Sequence, residues 1–362
     1  MSWIPFKMTS KRALGIDIGT SSIRIVELSG SKEKQKLENY GEISAFAIFD
    51  KPFRSFGKNT LLLSTNDVAR AILAVIDEAK IKTKRAVFSI PDFSTFFTNI
   101  ELPPMTTEEL PQAVEAEARQ YVPLPLSEIT LDWQIIGGSM PGQKESKFKI
   151  LLVAVPNEVI NQCQEIAKIT GLELVALEAE VFGLARSLVK GEKETIILID
   201  IGAQSTTCSI VDNGFLKRSY SLDVSANELT AVLSRSLNID YKKAEELKEK
   251  YGLESVDISA LEPRKNAREI LLPLIDLIMS EIKKISLSFC QAEGKNTQKI
   301  ILTGGSAFIP GLKKYFEENF EKEIEIANPF LNLFYPPILE KKLRGMGPSY
   351  SIATGMALRG LE

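Results

Sequence analysis

The sequence predicts an α/β fold of two lobes, because one strand-and-turn motif occurs in each half of the chain. Ile16-Asp17-Ile18-Gly19 is repeated as Ile199-Asp200-Ile201-Gly202. An apolar run precedes each copy, and an alternating strand that ends at Gly30 or Gly214 follows it, so each copy is predicted to form a β-hairpin. Two hairpins that each open about half of the chain indicate a duplicated fold whose lobes face each other.

A helix and then a compact β/α insertion are predicted between the two motifs. Apolar residues from Val68 to Ala79 recur at helical spacing after the candidate capping residues Thr65 and Asn66. Strands are predicted at 86–90, 95–102, 129–136 and 148–155, and helices at 107–121 and 158–170. We therefore assign 1–83 to the first lobe, 84–174 to the insertion, 175–199 and 340–362 to return segments of the first lobe, and 200–339 to the second lobe.

The second lobe is predicted to contain three helices and a glycine turn. The helices cover 227–237, 241–251 and 267–292, and Pro273 is expected to start or kink the last one. Residues 299–306 form a buried strand that feeds a Gly304-Gly305 turn, and Pro310-Gly311 opens a short helix. This turn is a third candidate nucleotide loop.

Composition and charge exclude several classes of function. The 362 residues carry a net charge of −3, so there is no basic excess to neutralise nucleic acid. Histidine is absent, which excludes Ser-His-Asp and Cys-His catalysis and every histidine-containing metal site. Cys163, Cys208 and Cys290 stand far apart and predict buried thiols.

No membrane segment or signal peptide is predicted. Residues 1–8 are apolar but lack the hydrophobic region and cleavage site of a secretory signal. The most apolar stretch, 270–289, is interrupted by Asp276, Glu281, Lys283 and Lys284. We expect a soluble cytoplasmic protein that does not insert directly into a membrane.

The two motifs carry the groups that a phosphate chain requires. Glycine allows backbone N–H donors to approach closely, and 19–22 and 202–206 supply two such turns with neighbouring hydroxyls. Asp17 and Asp200, at the strand ends, suit a Mg²⁺ ion that keeps its waters. For a single copy, strand-ending Asp and ordinary turn glycines would explain the pattern. The pair, together with Gly304-Gly305, favours a nucleotide site of a kind other than the P-loop or Rossmann motif, which are absent.

Several stretches resemble the actin, Hsp70 and sugar-kinase superfamily and, within it, the PilM family of actin-like type IV pilus assembly proteins. Residues 14–22 and 301–305 resemble motifs of the whole superfamily, whereas 116–126 and 351–360 are more specific to PilM; 244–248 also match. The resemblance runs nearly end to end. It implies an actin-like, ribonuclease H-like fold with the inserted SHS2 subdomain of FtsA and PilM.

The same resemblance implies that ATP and Mg²⁺ bind between the lobes. The expected cofactor-binding residues are Asp17, Gly19, Thr20, Ser21, Ser22, Asp200, Gly202, Ala203, Gln204, Thr206, Glu245, Lys248, Gly304, Gly305 and Ser306. In relatives, a Glu and a Lys placed like Glu245 and Lys248 meet the ribose and base, although their spacing fits a surface ion pair equally well. Asp17 and Asp200 would hold Mg²⁺ through water.

Hydrolysis is expected to be slow or absent. Glu178 occupies a position similar to that of the acidic residue that orients water in hydrolysing relatives. The alternative is that Glu178 is an ordinary solvated side chain. Residues 223–230 stand where the family usually has Gly-Gly before a helix, which puts close approach of this backbone to the terminal phosphate in question.

Two other functions fit parts of the sequence. An FtsA-like division protein shares the inserted subdomain, but the basic amphipathic membrane helix of FtsA has no counterpart after Arg359-Gly360. A small-molecule kinase of the same superfamily would need an Asp base and a sugar pocket, for which no motif is evident.

The resemblance implies a role in assembly at the inner membrane. In the PilM family the partner is the cytoplasmic N-terminal peptide of PilN, a membrane protein, which is held in a groove beside the inserted subdomain. Pilus motor ATPase, platform proteins and further copies of the chain are additional candidate partners. We expect a cytoplasmic protein that is recruited to the inner membrane of a pilus or related secretion system by its protein partner.

Overall fold

The first lobe begins with an antiparallel β-meander that continues into helical and parallel elements. The structure, a computed structural model, describes residues 11–31, 34–48, 52–56, 61–138, 147–189, 191–254 and 267–362. The apolar residues at 1–8 lie outside these ranges. In chain order the first elements are β1 (Lys11–Ile18), β2 (Ser22–Gly30), β3 (Gln35–Ser44), α1 (Ala45–Ile48), β4 (Arg54–Phe56), β5 (Leu61–Leu63), α2 (Thr65–Glu78) and β6 (Arg85–Ile90).

A small sheet with one helix is inserted after β6, and the chain then returns to the first lobe. The inserted elements are β7 (Phe96–Leu102), α3 (Leu110–Tyr121), β8 (Ile129–Gly137) and β9 (Phe148–Pro156). Their strand order is β7-β9-β8, and α3 covers an apolar core on one face. The returning elements are α4 (Asn157–Thr170), β10 (Glu173–Ala179) and α5 (Glu180–Leu188).

The second lobe follows, and the last helices pack back on the first. Its elements are β11 (Thr195–Ile201), β12 (Thr206–Asp212), β13 (Phe215–Leu222), α6 (Ala226–Leu237), α7 (Tyr241–Tyr251), α8 (Ala267–Glu293), β14 (Lys299–Thr303), α9 (Leu312–Asn319) and β15 (Glu323–Ile326). The closing helices are α10 (Glu340–Met346) and α11 (Ser351–Leu361). Within the described ranges, none of the helices combines the length and apolar character needed to cross a bilayer.

The two main sheets have the same topology. Their strand orders are β3-β2-β1-β6-β10 and β13-β12-β11-β14-β15. In each sheet the first three strands are antiparallel neighbours, and the last two run parallel to the first. The duplication inferred from one tetrapeptide therefore extends over both sheets, and the predicted two-lobed α/β fold is confirmed.

The insertion is smaller than the predicted range of 84–174. β6 lies between β1 and β10 in the first-lobe sheet, and α4 packs on α2 in the same lobe. Only the segment from about 95 to 156 forms the separate sheet and its helix. The sequence could not show this boundary, because β6 and α4 have the same local pattern as the inserted elements. β11 likewise belongs to the second-lobe sheet, although 195–199 had been assigned to the first lobe.

Two local expectations are corrected. Helix α2 begins at Thr65 with Ser64 as its N-cap residue, so Thr65 and Asn66 lie inside the helix. Helix α8 begins at Ala267 and continues past Pro273, so Pro273 does not start it, while a kink at this residue stays a prediction.

Helix α11 joins the end of the fold to its beginning by close backbone packing. A Cβ atom on Gly15 in β1 would lie 1.9 Å from the Ala353 carbonyl oxygen, and one on Gly355 would lie 2.0 Å from the Gly183 carbonyl oxygen in α5. These two glycines let α11 pack directly on β1 and α5. The first-lobe sheet is thus covered by α11 on one face and by α2 and α4 on the other.

Candidate functional site

The two repeated motifs form the same turn in both lobes. The Gly19 N–H donates to the Ser22 carbonyl at 3.0 Å, and the Gly202 N–H donates to the Ser205 carbonyl at 3.0 Å. A Cβ atom would lie 2.7 Å from the Ser22 oxygen at Gly19 and 3.0 Å from the Ser205 oxygen at Gly202. A side chain at Gly19 would therefore force the turn to shift, and one at Gly202 would fit only if the Ser205 carbonyl moved slightly.

These turns face each other across a cavity of about 500 Å³, which we call the interlobe cleft. The predicted residues that line it are Asp17, Gly19, Thr20, Ser21, Ser22, Asp200, Gly202, Ala203, Gln204, Glu245, Gly304, Gly305 and Ser306. The structure thus brings together residues from both hairpins, from α7 and from the glycine turn after β14. The predicted residues outside the cleft lining are Glu178, Thr206 and Lys248.

Glu178 lies on the other side of β10, and its predicted place in the cleft is corrected. Its carboxylate accepts hydrogen bonds from both terminal nitrogens of Arg186, at 2.5 and 2.7 Å. The chain changes from strand to helix at Ala179, so Glu180, two residues later, is the acidic side chain that reaches the cleft. We therefore transfer the proposed water-positioning role to Glu180.

Lys248 forms an ion pair with Glu245 and is itself only 2% exposed. Its Nζ atom donates to the two Glu245 carboxylate oxygens at 2.9 and 2.8 Å, to Thr230 Oγ1 at 2.7 Å and to the Ala226 carbonyl at 3.2 Å. Thr230 also donates to Glu245. The pair is therefore not a surface ion pair: Lys248 orients Glu245, and Glu245 lines the cleft.

Thr206 also does not line the cleft, because its side chain points to the opposite face of β12. Its side chain is fully buried, and Oγ1 has no hydrogen-bond partner within the described structure. Successive side chains in a strand point to opposite faces. The neighbouring Thr207, paired with Asp200 across the hairpin, is the residue of β12 that lines the cleft.

The Gly304 turn is fitted tightly against the second hairpin. Gly304 has a φ of +87°, and a Cβ atom on it would lie 2.5 Å from Asp200 Oδ1. Its N–H donates to the Pro348 carbonyl at 3.2 Å, and Thr303 Oγ1 donates to the same oxygen at 2.9 Å. The turn before α11 therefore ties the glycine loop to the first lobe.

Asp17, Glu180 and Asp200 are three of the carboxyl groups that line the cleft, and they lie near one another. Burial, together with the nearby Glu180 and Asp17, raises the pKa of Asp200 to about 7, although Arg24 and Arg54 oppose the shift. Burial likewise raises the pKa of Asp17 and of Glu180, although Arg24 and Arg54 oppose the shift at Asp17. Ser89 Oγ donates to Asp17 Oδ1 at 2.9 Å and holds this carboxylate in place.

Two arginines compensate part of this negative charge, and sequence reasoning missed both. Arg54 is buried and donates to Glu180 at 3.0 Å, to Thr20 Oγ1 at 3.1 Å and to the Ile18 carbonyl at 2.8 Å. Arg24 faces Asp17 across the first hairpin and contacts Glu42 at 2.6 Å, while its buried Nε atom has no partner within the described residues. Arg24 could have been found from its place in the hairpin strand, whereas Arg54 carries no local signal.

The first turn of α6 is docked on the second hairpin. The Ala226 N–H donates to the Gly202 carbonyl at 3.0 Å, and the Asn227 N–H donates to the Ala203 carbonyl at 3.2 Å. These donors are already used, in the segment where the family usually has Gly-Gly. They therefore hold the loop rather than a phosphate.

The donor groups of the cleft fit a nucleotide with a hydrated cation. Glycine turns and hydroxyls surround the space where phosphates would lie, and the Arg24 Nε atom is an unused buried donor. In the described parts of the chain, no three Asp, Glu or Cys side chains are placed to hold a metal ion directly. Asp17 and Asp200 would therefore hold Mg²⁺ through its waters, as Mg²⁺ commonly requires.

A second cavity, which we call the side groove, lies between the insertion and the first lobe. Its volume is about 570 Å³. It is lined by Ile90, Thr130, Asp132, Trp133, Gln134, Leu151, Val153, Val155, Ile160, Ala176, Leu177, Glu178, Ala179, Phe182, Arg186 and Arg359. Its walls include β8 and β10, each of which is an edge strand of its sheet.

A family model described as type IV pilus assembly protein PilM matches residues 15–361. The chain belongs to the PilM family. A solved PilM-PilN type IV pilus biogenesis complex contains a chain with 23% identity and a TM-score of 0.81, and the match covers 97% of this chain and 98% of that one.

More distant relatives share the fold of the PilM family. MreB5 of Spiroplasma citri, solved bound to AMPPNP, has 16% identity and a TM-score of 0.50, with 92% of this chain and 97% of that chain covered. The cell division protein FtsA of Pseudomonas aeruginosa is 22% identical over 98% of this chain and 90% of its own length. These likenesses confirm the actin-like two-lobed fold, and the family match favours PilM over FtsA.

Proposed function

We propose that the protein binds ATP with hydrated Mg²⁺ in the interlobe cleft. The observation that carries this proposal is the pair of equivalent glycine turns, at Gly19 and Gly202, that face one cavity from opposite lobes. The N–H groups of Gly19 and Gly202 close the turns themselves, so the donors offered to phosphate oxygens are the N–H groups of the residues that follow each glycine and the neighbouring hydroxyls. Asp17 and Asp200 end the strands that lead into these turns and hold the waters of the cation, while Arg24 and Arg54 balance the phosphate charge.

ATP binding is tested by thermal unfolding with and without Mg²⁺. A ligand that binds only the folded state raises the melting temperature by mass action. Gly19→Val is expected to abolish the shift, because its side chain would displace the Ser22 carbonyl and occupy the phosphate side of the turn. An unmoved melting curve of the wild-type protein at millimolar ATP would refute this part of the proposal.

Hydrolysis is proposed to be slow, with Glu180 as the residue that positions water. Its carboxylate already accepts hydrogen bonds from Arg54 and from the Asp92 N–H at 3.3 Å, which limits its freedom as a base. The α6 amides are used by the second hairpin. Turnover in the ordinary enzyme range of ~1–10³ s⁻¹ with ATP alone would contradict a pure assembly role.

We further propose that the side groove binds the extended N-terminal peptide of a PilN-like membrane protein. The relative with the same fold was solved in a PilM-PilN complex. Two edge strands, β8 and β10, border the groove, so an extended peptide has main-chain partners on either side. Apolar side chains such as Leu177 and Phe182 offer pockets for its alternate residues.

Peptide recruitment gives a route to the inner membrane for a cytoplasmic protein with a net charge of −3. The test mixes the purified protein with the first ~30 residues of the PilN-like partner and, separately, with anionic liposomes. Peptide binding without liposome binding is expected. Direct liposome binding without the peptide would refute this recruitment model.

The matched variant should remove only the inserted sheet. Deletion of 84–174 would also remove β6 and α4 and break the first-lobe sheet. Deletion of about 95–156 is feasible because Phe96 and Ala154 are paired neighbours in β7 and β9, so a short Gly-Ser linker can join the ends. This variant should keep its ATP shift and lose the peptide.

A further inference from the structure

A third cavity adjoins the side groove at the boundary between the two lobes. It has a volume of about 450 Å³ and shares the lining residues Gln134, Phe182 and Arg186 with the side groove, so the two cavities are immediate neighbours. We call it the seam pocket. Its apolar lining includes Phe182, Ala185, Val189, Phe215, Leu358 and Leu361.

Both lobes supply walls of the seam pocket. Phe182 and Ala185 belong to α5, and Leu358 and Leu361 belong to α11, all in the first lobe. Phe215 begins β13 in the second lobe and remains 42% exposed. An exposed aromatic side chain at the mouth of an apolar cavity is suited to cover a ligand side chain.

The junction between the two cavities carries charges that are already paired. Arg186 binds Glu178 through two hydrogen bonds and approaches Glu362 at 3.4 Å. Arg359 donates to Glu362 at 2.7 Å. Because these charges neutralise each other, a ligand that crosses the junction needs main-chain polar groups rather than a charge of its own.

We propose that the seam pocket takes a large apolar side chain of the same extended peptide whose first part occupies the side groove. This inference rests on the proposed peptide function. Since Phe215 belongs to the second lobe and Phe182 to the first, a peptide that fills both cavities contacts both lobes. Its affinity then depends on how the lobes are arranged, and ATP and peptide affect each other's binding reciprocally.

The hairpin that carries Phe215 is fastened to the insertion, which supports this coupling. Asn99 Nδ2 donates to the Lys217 carbonyl at 2.8 Å, and Lys217 Nζ donates to the Ile136 carbonyl. Lys149 and Glu293 form an ion pair at 3.0 Å between β9 and α8. A movement of the second lobe would therefore also shift the insertion, whose strands form part of the side groove.

The experiment compares two peptides from the N-terminus of the PilN-like partner, about 10 and about 20 residues long, by fluorescence polarisation. Phe215→Ala removes the second-lobe wall, and Tyr220→Ala is the control, because Tyr220 lies on the same strand, is 39% exposed and does not line the seam pocket. Circular dichroism confirms that both variants fold. Phe215→Ala should raise the Kd of the longer peptide about tenfold and leave the shorter peptide unchanged.

The possible results distinguish a failure of the seam-pocket inference from a failure of the proposed peptide binding in the side groove. If the short peptide binds the wild-type protein but Phe215→Ala and Tyr220→Ala have equal effects on the long one, the seam pocket is not a binding site while the side groove stands. If ATP changes the Kd of both peptides by the same factor, the coupling through the seam pocket is overturned. If neither peptide binds, both proposals fail.

Discussion

The adjacent glycines Gly304 and Gly305 should respond to the same substitution in opposite ways. Gly304 has a φ of +87°, and a Cβ atom there would meet Asp200 Oδ1 at 2.5 Å and the Ile201 carbonyl oxygen at 2.6 Å. A Cβ atom at Gly305 would meet no protein atom within 4 Å apart from its chain neighbours, and Gly305 lines the interlobe cleft. One glycine is therefore required by the fold and the other by the ligand.

The expected sizes follow from these surroundings. Gly304→Ala forces an L-residue into a left-handed conformation, which costs about 1–2 kcal/mol, and displacing the hairpin adds about 1–3 kcal/mol. We expect the free energy of unfolding to fall by about 2–5 kcal/mol. Gly305→Ala should change it by less than about 1 kcal/mol, and a small gain is possible because alanine restricts the unfolded chain.

Urea unfolding followed by circular dichroism, with and without Mg²⁺-ATP, measures both effects. At an ATP concentration of 100 Kd, the wild-type protein should gain about 2.7 kcal/mol from the ligand. Gly305→Ala should lose most of this gain, because its methyl group enters the space for the nucleotide, although its stability without ATP is normal.

Two results would refute this reasoning. If Gly305→Ala destabilises the ligand-free protein as much as Gly304→Ala does, then the described difference in their surroundings is wrong. If Gly305→Ala keeps the full ATP gain, then the turn after β14 does not lie against the nucleotide.

Three further predictions concern charged groups. Glu180→Gln should reduce residual ATP hydrolysis at least tenfold, whereas the control Glu178→Gln should not; equal rates in a phosphate-release assay would contradict the assignment to Glu180. In urea titrations, Lys248→Met should lower the free energy of unfolding by about 2–3 kcal/mol, because it leaves Glu245 without its buried partner. The control Lys243→Met removes only the exposed ion pair with Asp240 and should change the free energy of unfolding by less than about 0.5 kcal/mol. Asp200 binds a proton more tightly in the folded protein, since its pKa is raised from 3.8 to about 7, so its contribution to stability falls between about pH 4 and pH 7. In EDTA, the free energy of unfolding of Asp200→Asn should therefore rise relative to that of the wild-type protein as the pH increases through this window. The gain is at most about 4 kcal/mol, because the cleft partly solvates the carboxylate. A difference between the two proteins that is independent of pH would contradict this prediction.

The sequence could predict the fold because the duplicated motif is local. The turn at Gly19 requires its glycine for contacts within four residues, and the turn at Gly202 repeats them, so the pattern is visible in the sequence. The matching sheet topologies follow from similar strand patterns in the two halves.

Side-chain direction at the site was harder to predict. Glu178 and Glu180 are two residues apart, and which of them reaches the cleft depends on the exact residue where β10 gives way to α5. Thr206 and Thr207 differ in the same way, through the alternation of one strand. A small error in an element boundary or in the alternation of a strand therefore assigns the wrong residue to the cleft, Glu178 in place of Glu180 or Thr206 in place of Thr207.

Long-range partners left no local signal in the sequence. Arg54 binds Thr20 and Glu180, which lie far from it along the chain. Lys248 is buried because α7 packs against α6, whereas its spacing from Glu245 alone fits an exposed pair equally well. Such contacts depend on tertiary packing, which periodicity does not describe.

The packing of α11 on β1 has a consequence for the synthesis of the chain. The β1–β2 hairpin leaves the ribosome long before the helix that covers it, because α11 is complete only after residue 361 has been added. At about 5–20 residues per second, the interval is roughly 20–70 s. During that time the apolar face around Ala13 and Val26 lacks its cover, and the Pro348 carbonyl that anchors the Gly304 turn has not yet been made. On the proposal that ATP binds in the interlobe cleft, a chain that stops before Pro348 lacks this anchor of the Gly304 turn, and we expect ATP to stabilise it less than the chain that carries α11.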